Sequence, residues 1–308
     1  MKKYIYIILI LFVCLISSCS KQWPEPEFIP TKGINIIIGD KFQITQSDIS
    51  HYDMASSQFY LNTTLDYENN KFPLLKFWIL SDGNLIYDGF LSDYPFCGWS
   101  SSAGFYDSIM IVNKQEHPQF ILKLDRIACW YSRDSLRNND PRKGEVFIAE
   151  LKKQGILKQG IDVNIESIQL VNDSSVTVNY KVTNLDNEDY FLLNPNVRTD
   201  NDLYDSKWSL VLMNDQTKEF LITEKKDMTF KYGEPWNLDW LFLLNSGESF
   251  SYSINYVLNG VIKSNNYVAY YSYPNLGIEF QSIEETQLDE GRIFLGKSEF
   301  IQDISITR

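Results

Sequence analysis

The chain has 308 residues, 44% of them apolar and 22% charged, with a formal charge of −12. That balance describes a folded protein rather than a disordered one. So acidic a chain repels phosphate backbones and anionic headgroups, which excludes nucleic acid as an expected partner. Aromatics reach 15%, with 19 Tyr, 19 Phe and 7 Trp. Such residues suit pleated sheets, with stacking platforms for sugars as the functional alternative.

The N-terminus opens with Lys2 and Lys3, runs apolar over residues 4–16 and then reads Ser17-Ser18-Cys19. This is the pattern of a lipoprotein signal peptide, 1–18, with Cys19 placed to take a diacylglycerol. The apolar run falls short of the roughly 20 residues needed to span a bilayer. Residues 19–32 follow as a spacer, in which Pro24, Pro26 and Pro30 favour an extended chain. Of the four cysteines, Cys14 leaves with the signal and Cys19 carries the lipid. Cys97 and Cys129 remain, either bridged as exported proteins allow or as two free thiols. Membrane contact is expected from the lipid alone, since no basic patch reinforces it.

Residues 33–158 are expected to form an irregular β domain with one helix. Ile34, Ile36 and Ile38 mark a first strand, and Phe59, Leu61, Thr63 and Leu65 a second. Leu75, Phe77 and Ile79 lead into Asp82-Gly83, with Leu85-Ile86-Tyr87 beyond. Asp-Gly between apolar runs signals a tight hairpin, because its turn needs positive φ. Phe120, Leu122 and Leu124 mark another strand. Asp140 as cap and Pro141 at the first helical position predict a helix carrying Phe147, Ile148 and Leu151 on one face and ending at Gly155.

Residues 159–308 alternate more cleanly. Val176, Val178, Tyr180 and Val182 interleave with Thr177, Asn179, Lys181 and Thr183, and Asn172-Asp173-Ser174 turns back to a strand over 163–171. Phe250, Tyr252, Ile254 and Tyr256 repeat the pattern after the turn Asn245-Ser246-Gly247-Glu248, and Ile304 and Ile306 close the chain. Strands at this spacing, with no second helix to cover a parallel sheet, predict an antiparallel sandwich.

The run 176–184 followed by 190–195, then Ser246-Gly247-Glu248-Ser249-Phe250 opening a strand, resembles bacterial immunoglobulin-like sandwiches. Taken whole, with residues 77–90, Ser100-Ser101-Ser102 and the helix over 140–155, the chain resembles the uncharacterised surface lipoproteins common in Bacteroidetes. That resemblance implies a cell-envelope location and transfers no catalytic residue.

Several constellations could carry chemistry. Gly291-Arg292-Ile293-Phe294-Leu295-Gly296-Lys297-Ser298 matches the P-loop spacing. A phosphate-binding loop must open a helix, however, and the bulky interior here reads as strand. Cys97-Gly98-Trp99 with His117 is a partial match to a thiol-protease nucleophile, and Pro95-Phe96 departs from that pattern. The two histidines, His51 and His117, have no zinc spacing, and no Gly-x-Ser-x-Gly elbow exists. Acidic runs at 186–189 and 200–205 could offer calcium oxygens or simply be solvated turns. Tyr232, Trp236 and Trp240 could form a ligand platform if exposed, together with Tyr267, Tyr270, Tyr271 and Tyr273, or a core if buried.

These readings describe a mainly β, lipid-anchored protein of the outer membrane, on its periplasmic face or the cell surface. It is expected to be non-catalytic, to bind or scaffold, and to use no cofactor, metal or nucleotide. Alternatives are a glycan-binding accessory protein, a carboxylate glycosidase or a proteinase inhibitor.

Overall fold

The computed structural model describes residues 32–39, 42–65, 75–91, 107–111, 119–126, 141–198, 210–226, 229–230, 237–273, 284–296 and 298–306. The N-terminal part runs β1 (Ile34–Ile38), β2 (Phe42–Ile44), β3 (Ile49–Asp53), β4 (Gln58–Leu65), β5 (Leu75–Ser81), β6 (Asn84–Leu91), β7 (Asp107–Ile111), β8 (Gln119–Arg126), helix α1 (Glu145–Lys153) and β9 (Leu157–Lys158). The C-terminal part runs β10 (Ile161–Asn172), β11 (Ser175–Asn184), β12 (Tyr190–Leu193), β13 (Val197–Arg198), β14 (Leu210–Asn214), β15 (Phe220–Lys225), β16 (Thr229–Phe230), β17 (Leu241–Leu244), β18 (Ser249–Leu258), β19 (Asn265–Tyr273), β20 (Gln287–Leu288), β21 (Gly291–Ile293) and β22 (Ser298–Ile306). The fold is mainly β, and α1 is the one α-helix among the described residues.

In the N-terminal part, one sheet has the order β2-β1-β5-β6 and another β7-β8-β4-β3-β9. The β5–β6 hairpin turns at Asp82 and Gly83, whose φ values of 49° and 82° are both positive. This is the mirror-image turn that matches strand twist, as the Asp-Gly pair demands. Ile34, Ile36, Ile38, Tyr52, Phe59, Leu61, Phe77 and Ile79 form a core with Phe147 and Leu151 of α1. The Phe147 ring lies 5.3 Å from that of Tyr52 in an edge-on contact. Ile37, Trp78 and Leu80 are buried as well, in a separate cluster, so β1 and β5 bury both faces. This is why β1 reads as a nearly continuous apolar run instead of an alternation.

The helix starts later than its sequence suggests. Pro141 opens a short 3₁₀ turn (Pro141–Lys143), and extended Gly144 is the residue that caps α1. Asp140 lies outside the described residues. The C-terminal end follows expectation. Gly155 adopts φ 71°, its N–H donates to Lys152 O, and the Ile156 N–H donates to Leu151 O. These two bonds satisfy carbonyls the helix would otherwise leave unpaired, and Ile156 joins the core beside Leu151.

The C-terminal part is a seven-stranded antiparallel sheet of order β10-β11-β18-β15-β14-β19-β22, bent into a sandwich. The bend falls in β15, whose Phe220–Ile222 end pairs with β14 while its Thr223–Lys225 end pairs with β18. Val176, Val178, Tyr180 and Val182 thus share one core with Ile254, Tyr256, Leu210, Leu212, Tyr267, Ala269, Tyr271 and Tyr273. Burying such side chains contributes roughly 1.5–3 kcal/mol each. Most outward residues on β11 and β18 are Thr, Asn or Ser, and they bond across strands, as in Thr177 to Asn255 at 2.7 Å.

The outer strands β10 and β22 share no ladder, yet Gln302 on β22 joins them. Its Oε1 accepts the Ile165 N–H at 2.8 Å, and its Nε2 donates to Ile165 O at 2.8 Å. Ile165 sits at a register shift in the β10–β11 pairing. A side-chain amide thus takes the place of the missing backbone partner.

A four-stranded sheet, β17-β12-β21-β20, lies beside the sandwich. Its β12–β21 pair is parallel, as are β3–β9 and β13–β16. Each of these parallel contacts has only two residue pairs, too short to leave a mark in the sequence pattern. Among the described residues no helix is long and apolar enough to cross a membrane.

Candidate functional site

The densest group of chemistry-bearing side chains lies where the β3–β4 hairpin meets the sandwich. Tyr52 and Phe59 flank the segment Asp53-Met54-Ala55-Ser56-Ser57-Gln58, and the chain reverses through residues 54–57. Asp53 Oδ1 accepts the N–H groups of Ala55 at 2.8 Å and Ser56 at 3.3 Å, and Ser57 takes φ 56°. An aspartate bonding the backbone two residues ahead holds such a turn closed. The turn is not a surface feature, because Asp53, Ala55, Ser56, Ser57 and Gln58 are all buried.

Two glycines make room for it. A Cβ on Gly160, which has φ 74°, would collide with Asp53 Oδ1, and one on Gly296 would collide with Ser56. Ala55 joins the sandwich core. Strand β9 lies parallel to β3, with Met54 N–H donating to Lys158 O at 3.0 Å. One hairpin turn is therefore seated between the start and the end of the C-terminal part.

Around the turn stand paired charges. Lys158 forms an ion pair with Glu188 Oε1, and Arg292 Nε lies 3.8 Å from Glu188 Oε2. Asp186 accepts the N–H groups of Gln159 and Gly160, each at 2.8 Å. The Tyr190 hydroxyl donates to Asp186 Oδ2 at 2.7 Å and lies 3.0 Å from Glu188 Oε1. Burial and these two carboxylates push the Tyr190 hydroxyl far above its ordinary range. Tyr60, shifted upward by burial and by Asp53, donates to Gln58 Oε1 at 3.0 Å.

His51 stacks on Tyr60 with ring centroids 4.4 Å apart and planes within 10°. Its Nδ1 is 3.0 Å from Ser50 Oγ. Burial, then the charges of Lys158 and Arg292, depress the imidazole to about 2. Asp53 moves the other way. Burial raises its carboxyl to about 7 against the pull of the Ser56 and Ala55 N–H groups, and Asp186 adds to the rise. A neutral imidazole this weakly basic cannot serve as a general base for Ser50 at neutral pH.

The P-loop-like segment has a packing explanation. Gly291 begins β21 because a Cβ there would meet Asp189 O at 2.7 Å. Its neighbours' N–H groups are occupied in the sheet, Arg292 N donating to Asp189 O and Phe294 N to Phe191 O, both at 2.9 Å. Ser298 opens strand β22 where a phosphate-binding loop would open a helix. Lys297 lies outside the described residues.

Trp240 is 3% exposed and packs with Tyr60, Leu193, Val197, Ile293 and Leu295. Of the two readings of this aromatic group, the core one holds for Trp240: it ends a 3₁₀ turn, Leu238–Trp240, that carries its indole inward. Tyr267, Tyr271 and Tyr273 are core residues too, and Tyr273 donates to Leu193 O at 2.6 Å. Tyr232, Trp236, Cys19, Cys97, Cys129 and His117 lie outside the described residues. Within the acidic run, Asp189 Oδ1 accepts the Ser246 N–H at 2.6 Å, so this carboxylate, like those of Asp186 and Glu188, is engaged within the protein.

Sequence reasoning did not single out Asp53, Lys158, Glu188, Tyr190 and Arg292 as one group, since they are scattered over 240 residues of chain. The one local signal was Asp-Met-Ala-Ser-Ser between two alternating runs, a hairpin turn by composition. No protein-family model and no curated protein matches this chain.

Proposed function

We propose that this chain is a non-catalytic, lipid-anchored protein of the cell envelope with a binding or scaffolding role, tethered through Cys19 to the outer membrane. The observation that carries the non-catalytic reading is the junction around Asp53. Its ionisable groups are paired with one another or with backbone, and its imidazole is held neutral. Such an arrangement suits a structural role, in which most buried polar groups are engaged internally, Arg292 Nε and Nη1 and Ser56 Oγ being buried here without a hydrogen-bond partner.

The strand order supports an immunoglobulin-like identity for residues 159–308. Strands β10-β11-β18-β15 on one side and β14-β19-β22 on the other follow the A-B-E-D and C-F-G order of a constant-type sandwich. Sandwiches of this kind commonly serve binding at cell surfaces, and the function lies in the surfaces rather than the fold. We take residues 33–158 as a first domain and 159–308 as a second.

The test is to incubate the purified protein with insoluble envelope polysaccharide and peptidoglycan. Retention on a polymer with no release of soluble reducing ends is the expected result. Time-dependent release of reducing ends would replace this reading with the glycosidase alternative.

A further inference from the structure

We propose that the seat of the β3–β4 turn against Gly160 and Gly296 is a proton-dependent latch between the N-terminal strands and the sandwich, closed while the Asp53 carboxyl is protonated and loosened when it ionises. Space sets the first constraint. Asp53 and Ser56 press against two glycines that could not carry a Cβ, so the turn is in close contact with the sandwich at both points.

Charge then decides what the seat tolerates. The groups facing Asp53 come from every element around it. Its own hairpin supplies His51, which is neutral, and Tyr60, whose hydroxyl keeps its proton. Strand β9 supplies Lys158, the segment before β12 supplies Asp186 and Glu188, β12 supplies Tyr190, and β21 supplies Arg292. Lys158 and Arg292 are two cations, and Asp186 and Glu188 are two anions. The set is balanced without Asp53. Glu188 pairs with Lys158 and lies 3.8 Å from Arg292, whose buried Nε and Nη1 make no hydrogen bond. Neither cation bonds Asp53, whose donors are two backbone N–H groups, so an ionised Asp53 would be a third carboxylate in the group. An uncompensated charge at a site 3% exposed is strongly disfavoured, and the negative charge of Asp186 adds to the penalty.

The two N–H donors at Asp53 Oδ1 do not remove this asymmetry. The carbonyl oxygen of a protonated carboxyl accepts the same two bonds. Protonation therefore keeps the turn closed and removes the charge. Undocking the turn exposes Asp53 to water, where its carboxyl ionises at ordinary acidity. Raising the pH through neutrality thus favours the undocked turn, and the proton released is the one held at Asp53.

The experiment is hydrogen exchange of the full chain between pH 6 and 8, corrected for the intrinsic exchange rate and compared with Asp53→Asn. Asparagine keeps the shape and the acceptor oxygen but cannot ionise. For wild type, protection of residues 52–60 should fall by about tenfold over that range. Protection in Asp53→Asn should stay constant. As a second variant, Asp186→Asn removes the facing negative charge and should move the wild-type response to lower pH. Constant wild-type protection, a parallel fall in Asp53→Asn, or an unmoved response in Asp186→Asn would each overturn the latch.

Discussion

At the residue scale, His51 and Asp53 make opposite contributions to stability as pH changes. Asp53 is raised from 3.8 to about 7, so its contribution is full below about 4 and is lost as pH rises through 7. His51 is lowered from 6.5 to about 2, so its contribution is full above 6.5 and is lost as pH falls. Between roughly pH 4 and 6.5 the folded chain holds a proton on Asp53 while the unfolded chain holds one on His51. The two slopes cancel there, each being about 1.4 kcal/mol per pH unit. Asp53→Asn should therefore lose stability on acidification in this window, and His51→Gln should gain it. Urea unfolding at pH 4.5 and 6 checks both signs. Parallel pH profiles for the two variants would refute the pairing.

Two further residues can be tested on their own. Gly160→Ala would put a Cβ onto Asp53 at a φ of 74°, so it combines collision with backbone strain. A loss of roughly 2–4 kcal/mol is expected, measured by denaturant midpoint. Trp240→Ala should cost about 3–5 kcal/mol, as for other core aromatics. Unchanged melting of Trp240→Ala would return the indole to the surface.

At the scale of elements, what could be read in advance was whatever one residue pair or one short pattern decides. Asp82-Gly83 specified the β5–β6 turn because few dipeptides accept two positive φ values. The β11 alternation specified its inward face because one side is core and the other water. Gly155 ended α1 for the reason its type is used there. The start of α1 was displaced because Pro141 suits a 3₁₀ turn as well as a first helical turn, and Gly144 decides between them. The parallel pairs and the junction around Asp53 could not be read, since each depends on residues brought together from distant segments. The Gln302 clamp belongs to the same class. Gln302→Leu should leave the Ile165 N–H and C=O without their partner, at a cost of roughly 1–3 kcal/mol. Calorimetry of that variant is the check, and an unchanged midpoint would mean that water replaces the amide.

At the scale of the whole molecule, the two parts differ in how much they need each other. The sandwich core is built almost entirely from residues 161–306, with Ala55 as the contribution from the N-terminal strands. A fragment from Gly160 to Arg308 should therefore unfold cooperatively on its own, though less stably than the full chain, because the socket for the β3–β4 turn is left open. A molten fragment would mean that the turn is required for the sandwich to form. The proposed membrane tether rests on Ser17-Ser18-Cys19 following a short apolar run. Metabolic labelling with an alkyne fatty acid, followed by fractionation of the producing cells, tests it directly. Wild type should carry the label and pellet with membranes, whereas Cys19→Ser should be unlabelled and soluble. A Cys19→Ser protein that still pellets with membranes and carries the label would contradict the account.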